Sequence, residues 1–225
     1  MRRTLIGVGL AAAFAAPEAH AGAWVAPTDG QAIWNVAAGE RESGPFQEAS
    51  AYLEAPVAAY GVSVIFAPWV EFSGGDWRTE AVAGVKRVIG QGDWGAVAVQ
   101  GGAYWQSAPP VGCGEGGLEA RALGGASLSS DVFVNVEAAA RALDGGCTRV
   151  RLDLTAGVRR GRDWMGLAQV FYDAPRDEED TLKAQLSLTR FTAAGRGFQF
   201  GLRVRLDGDD LEPALVVGYW TSGWR

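Results

Sequence analysis

Alternation of apolar and polar residues constrains this chain more than any other feature. Val132, Val134, Val136, Ala138, Ala140 and Ala142 interleave with Phe133, Asn135, Glu137, Ala139 and Arg141. Val150, Leu152, Leu154, Ala156 and Val158 alternate with Arg149, Arg151, Asp153, Thr155, Gly157 and Arg159. Leu182, Ala184, Leu186 and Leu188 do the same against Lys183, Gln185, Ser187 and Thr189, as do Phe198, Phe200, Leu202, Val204 and Leu206 against Gln199, Gly201, Arg203 and Arg205. A period of two sorts the two sets onto opposite faces of an extended strand, whereas a helix, at about 3.6 residues per turn, would scatter both around its axis. Composition agrees: 32 glycines and 9 tryptophans beside 2 methionines and 1 histidine suit turns and aromatic anchors better than long helices.

Breaks in the pattern predict about twelve strands, near 31–38, 48–57, 61–72, 79–89, 94–105, 118–128, 132–142, 148–159, 163–173, 181–191, 198–206 and 213–224. Tight connections are expected around Ala58–Tyr60, Gly90–Asp93, Ser129–Asp131, Arg160–Arg162 and Ala193–Gly197. Wider, more polar ones are expected at 39–47, 73–78, 106–117, 143–147, 174–180 and 207–212. The two kinds alternate along the chain, so short turns gather at one rim and longer loops at the other, the asymmetry of an outer-membrane barrel. The expected fold is all-β: a closed, antiparallel, up-and-down transmembrane β-barrel of about 12 strands.

A soluble barrel or sandwich has the same period with its polar face outward, so the direction of each face needs its own argument. Three features place lipid outside. The apolar faces run four to six positions with hardly a charge, enough for a tilted strand of roughly 9–11 residues to cross hydrocarbon. Several apolar positions are only alanine, as at Ala138, Ala140 and Ala142, too small to fill a soluble core. Aromatic residues gather at strand ends, with Trp94, Trp164, Phe191 and Phe198 beside tight turns and Phe72, Trp77, Tyr104, Trp105, Phe171 and Tyr172 beside wide loops. They predict two girdles.

The first residues read as an address. Arg2 and Arg3 precede an apolar run from Leu5 to Ala16, and Ala19-His20-Ala21 offers small residues where a signal peptidase cuts. Residues 1–21 are expected to be a secretory signal peptide and 22–225 the barrel domain. The run is too short for a spanning helix of about 20 residues. The formal charge of −6 argues against a nucleic-acid partner.

With these residues in view, the chain resembles the small porin-like outer-membrane β-barrel proteins of Gram-negative bacteria. The likeness is carried by Gly22-Ala23-Trp24, Pro27 and Gly30-Gln31, by the alternating strands, and by the closing Trp220-Thr221-Ser222-Gly223-Trp224-Arg225. Such families end in an aromatic residue with apolar residues at alternate positions before it. Trp224, Trp220 and Val216 fit this, while Ser222 and Arg225 depart from it. The resemblance implies an outer-membrane location, contact with lipid and lipopolysaccharide, and recognition by the barrel-assembly machinery. It implies no particular substrate.

The chemistry missing from the chain points away from an enzyme. A serine or cysteine hydrolase needs a positioned base, and the one histidine, His20, lies in the expected leader. The acidic runs Asp177–Asp180 and Asp209-Asp210 match no metal-loop spacing, and Gly112–Gly117 lacks the lysine and helix of a phosphate cradle. No cofactor, metal or catalytic residue is assigned. Cys113 and Cys147 fall in wide loops at the same rim, and export meets oxidising conditions, so a disulfide is expected.

The inward-facing charges carry the functional expectation. Glu48, Glu54, Glu71 and Glu80 on the early strands are expected to face the lumen, as are Arg149, Arg151, Arg159, Lys183, Arg203 and Arg205 on the later ones. Lys86, Glu119, Arg121, Glu137, Arg141 and Asp153 complete the lining. Strands six apart stand opposite each other in a twelve-strand barrel, so acid is expected to face base across a narrow channel for small polar solutes or ions. Two alternatives use the same residues: a closed structural or export-accessory barrel whose charges pair internally, and a soluble periplasmic binding module.

Overall fold

The computed structural model describes residues 30–57, 61–161, 163–175, 180–193, 195–207 and 210–222. Each alternating stretch forms a strand: β1 (Gln31–Arg41), β2 (Gly44–Val57), β3 (Val62–Ser73), β4 (Asp76–Gly92), β5 (Gly95–Gln106), β6 (Gly116–Ser127), β7 (Val132–Leu143), β8 (Thr148–Arg160), β9 (Trp164–Pro175), β10 (Thr181–Ala193), β11 (Arg196–Asp207) and β12 (Asp210–Ser222). Each pairs antiparallel with its sequence neighbours. The sheet closes where β1 meets β12, from Gln31 opposite Ser222 to Gly39 opposite Ala214. Closure leaves no strand edge unpaired, which hydrocarbon demands of any sheet that crosses it.

The two faces point as the alternation requires. Leu186, Phe200, Leu202 and Leu215 are 60–68% exposed on the outside, whereas Glu54, Glu71, Lys86, Glu119 and Arg141 are 1–4% exposed on the inside. A water-soluble fold arranges these types the other way round. The belt of bare leucine, valine and phenylalanine is a surface for acyl chains, and the architecture is the expected closed transmembrane barrel.

Three connections differ from expectation. The segments at 39–47, 73–78 and 207–212 are hairpin ends whose strands run on through the polar residues: β1 and β2 are joined by Glu42 and Ser43, and β3 and β4 by Gly74 and Gly75. Polarity alone suggested loop there, but the inner face of this barrel is polar, so a charged residue extends a strand as well as it ends one. Gly74 and Gly75 have φ of 61° and 94°, the left-handed pair that a two-residue hairpin needs and glycine supplies without strain. The longer connections at this rim are therefore 107–115, 144–147 and 176–180.

The aromatic girdles need a similar correction. Trp94, Trp164 and Phe198 are exposed at the tight-turn rim, and Trp77 and Trp105 at the other. Phe191, Tyr104 and Phe171 share the inward parity; Tyr104 is 2% exposed and Phe191 packs against an interior cluster. Val216 is also buried inside, and Trp220 packs there, so the apolar alternation of β12 that resembles a terminal signature faces the lumen. The leader 1–21, the opening 22–29, the turn 58–60, Arg162, Arg176 and the acidic residues 177–179, Ala194, Asp209, Trp224 and Arg225 lie outside the described residues.

Candidate functional site

Strand tilt brings the polar inner ends of ten strands together at the rim of the longer loops, and the charges there form a network. Glu80 on β4 accepts from Arg141 on β7 at 2.9 Å and from Arg149 on β8 at 2.8 Å. Arg149 also forks onto Asp173 of β9 through two bonds of 2.6 Å. Glu48 on β2 takes Arg203 of β11 at 2.5 Å and Lys183 of β10 at 3.6 Å. Arg41 bridges Glu71 at 2.6 Å and Glu212 at 3.2 Å. Deeper down, Arg121 joins Glu119 and Glu137 at 3.1 and 2.7 Å, and the Arg141 Nε reaches Glu119 at 2.8 Å.

Acid and base thus meet in ion pairs instead of standing on opposed walls, because an arginine side chain is long enough to cross several strands of so narrow a lumen. The pairing is uneven. Arg151 stands 3.7 Å from Asp173 and Lys183 3.6 Å from Glu48, and with Arg205 they make a cationic wall along β8, β10 and β11.

This wall borders a cavity of about 600 Å³ that opens at the longer-loop rim. Of the charges expected in the lumen, Glu48, Glu71, Glu80, Arg121, Glu137, Arg141, Arg149, Arg151, Asp153, Lys183, Arg203 and Arg205 border it. Glu54, Lys86 and Glu119 also face inward and are buried among the side chains that fill the lumen. Lys86 Nζ and Glu54 meet at 2.5 Å, with Gln31 and Tyr52 donating to the same carboxylate.

The cavity has a floor. Its lining descends to Leu123, Gln199 and Trp220, and nearer the tight turns the interior is filled by side chains. Phe133, Met165 and Leu167 pack together with Phe191 and Trp220, and Ala96, Ala98 and Leu123 pack with Val88. The Trp220 indole donates to Gln199 at 2.7 Å, which fixes the ring across the lumen. Toward the tight turns these apolar clusters share the interior with buried polar side chains, the Glu54–Lys86 pair, Asn135, Thr189 and Gln199 among them, so that half is filled where the other is open.

Cys113 and Cys147 are joined, with Cα atoms 5.6 Å apart and a separation of 34 positions in sequence. The bond ties the 107–115 loop to the β7–β8 connection at the cavity mouth. The Gly114 amide donating to the Asp144 carbonyl at 2.6 Å and the Gln106 amide donating to the Glu115 carbonyl at 2.8 Å hold the loop in place.

Three members of the network, Arg41, Asp173 and Glu212, were not among the expected lining residues. Their signal was parity: Arg41 continues the inward series of Ala37 and Gly39, and Glu212 that of Ala214 and Val216. Reading 39–47 and 207–212 as loops hid it. Two rings under the arginines were equally invisible: Phe46 below Arg41 and Tyr104 below Arg141, each 4.1 Å from the guanidinium carbon.

No protein-family model matches the chain, and no curated protein matches it. Solved structures do. The NanC porin aligns with a TM-score of 0.60 at 9% identity, covering 84% of this chain and 98% of that one. An outer membrane channel from Pseudomonas putida F1 aligns at 0.56 and 9% identity, with 89% and 98% covered. The KdgM porin aligns at 0.53 and 11% identity, with 85% and 98% covered. At such identities the likeness is one of fold, and the porin-like resemblance of the sequence holds at that level.

Proposed function

We propose that this chain is an outer-membrane barrel that admits small polar or ionic solutes through its longer-loop rim and passes them toward the tight-turn rim, without catalysis. The observation that carries the reading is the charged cavity of about 600 Å³ open at one end of a lipid-faced barrel. On its cationic wall Arg151 and Lys183 stand 3.6–3.7 Å from their carboxylates, longer than the 2.5–2.9 Å pairs of Arg203, Arg141 and Arg149 beside them, so anions are favoured over cations. The KdgM porin is known in complex with disordered oligogalacturonate, and a solute complex in a barrel of this fold supports reading the cavity as a solute site. The short turns then face the periplasm, and lipopolysaccharide and the assembly machinery are the partners expected of such a barrel.

A second reading, the closed structural or export-accessory barrel, is favoured by the apolar floor. Planar-bilayer recording separates the two. Discrete conductance steps with anion preference are expected, and a folded, heat-modifiable barrel that gives none returns the chain to the closed class. The soluble periplasmic module is disfavoured by the exposed outer belt.

A further inference from the structure

The outer face carries a feature that the channel reading does not use. At the tight-turn rim Arg160 of β8 stands opposite Trp164 of β9, and Trp164 stands opposite Arg190 of β10, three exposed side chains in one lateral row. The Arg190 guanidinium lies over the Trp164 ring, 5.4 Å from its centre. Among the described residues no carboxylate pairs with Arg160 or Arg190. The neighbouring acids Asp131 and Asp163 sit on the turns beyond the strand ends.

One step further toward the middle of the barrel wall the same three strands present Val158, Gly166 and Leu188, and then Ala156, Ala168 and Leu186. Gly166 and Ala168 on β9 and Ala156 on β8, small beside Val158, Leu186 and Leu188, leave a shallow open groove of about 730 Å³, continued by Phe200 and Leu202 of β11. A slot sized for hydrocarbon thus ends at two arginines and an indole, at the depth where a lipid headgroup begins.

Each half of this arrangement predicts the other half of one molecule. A guanidinium beside hydrocarbon favours a phosphate, which it grips through paired N–H donors, and an apolar slot favours an acyl chain. We propose that Arg160, Trp164 and Arg190 hold the phosphate of an anionic glycerophospholipid while the Gly166 groove takes one of its acyl chains. The assignment to phospholipid rests on the outer-membrane reading in one respect: the tight-turn rim lies in the periplasmic leaflet, away from lipopolysaccharide.

The test is native mass spectrometry of the full barrel released from nanodiscs of phosphatidylethanolamine containing a minor fraction of phosphatidylglycerol. The wild type is expected to retain phosphatidylglycerol selectively. The double variant Arg160→Gln/Arg190→Gln is expected to lower that retention about thirtyfold, the scale of losing two cationic contacts at a membrane surface. Gly166→Leu, whose added Cβ meets nothing nearer than the Val158 carbonyl oxygen at 4.0 Å, is expected to lower it with both arginines in place. Arg87→Gln, at an exposed arginine on β4, is expected to change nothing. Equal retention in all four proteins overturns the proposal, as does a doubled mass showing a second copy over the groove. Protein that stays in solution without detergent overturns the membrane reading along with it, so the two failures are distinguishable.

Discussion

At the scale of single residues, the most exacting contact is between Glu54 and Lys86. Both are 1% exposed, and the carboxylate takes bonds from Lys86, Tyr52 and Gln31. Removing one partner of such a pair leaves a charge in a dry wall, which costs about 3–5 kcal/mol. Lys86→Met is therefore expected to lower the urea midpoint of the vesicle-embedded barrel sharply, and Lys86→Met with Glu54→Gln to recover part of the loss. A double variant no better than the single one would mean that the pair is not what the wall depends on. Gly157 carries a different constraint, since an added Cβ would run into the Phe133 ring of the floor. Gly157→Ala is expected to displace that ring, read as altered aromatic circular dichroism of a barrel whose strand signal is unchanged.

At the scale of elements, the disulfide fastens the longest described connection, 107–115, to the β7–β8 hairpin. Closing a loop of 34 residues stabilises by about 3–4 kcal/mol on the chain-entropy estimate. Cys113→Ser/Cys147→Ser is expected to unfold at lower temperature than the oxidised parent and to match the reduced parent; identical melting of all three would show that the loop is held by its backbone bonds alone. The strands themselves were legible in the sequence because each residue declares its face by parity, and all twelve fall where the alternation puts them. Their ends were not, because in a barrel with a polar lumen Arg41 and Glu212 look like loop residues while serving as strand residues. The charged site was legible in the same partial way. Parity placed Glu48 and Arg203 inside, but their pairing depends on register and closure around the whole ring, and no local pattern encodes that.

At the scale of the whole molecule, the lumen runs from an open charged mouth to a half filled by side chains, and the two ends answer to different tests. In the channel reading, selectivity is set where charges meet the solute, at Arg151, Lys183 and Arg205 beside the cavity. In the same reading, conductance is set where side chains fill the lumen, as Phe133, Met165 and Leu167 do with Phe191 and Trp220. An apolar constriction resists ions by dewetting even when it is wide enough to admit them, so shaving it has an effect out of proportion to the atoms removed. Phe133→Ala/Met165→Ala is expected to raise single-channel current several-fold without changing the preference for anions, whereas Arg151→Gln/Lys183→Gln is expected to weaken that preference and leave the current in the same range. If the floor variant instead conducts no better than the parent while remaining folded, the floor is not the gate. The resistance then lies in the ion-pair network above it, where Glu80, Arg141 and Arg149 cross the lumen and would have to part for any solute to pass.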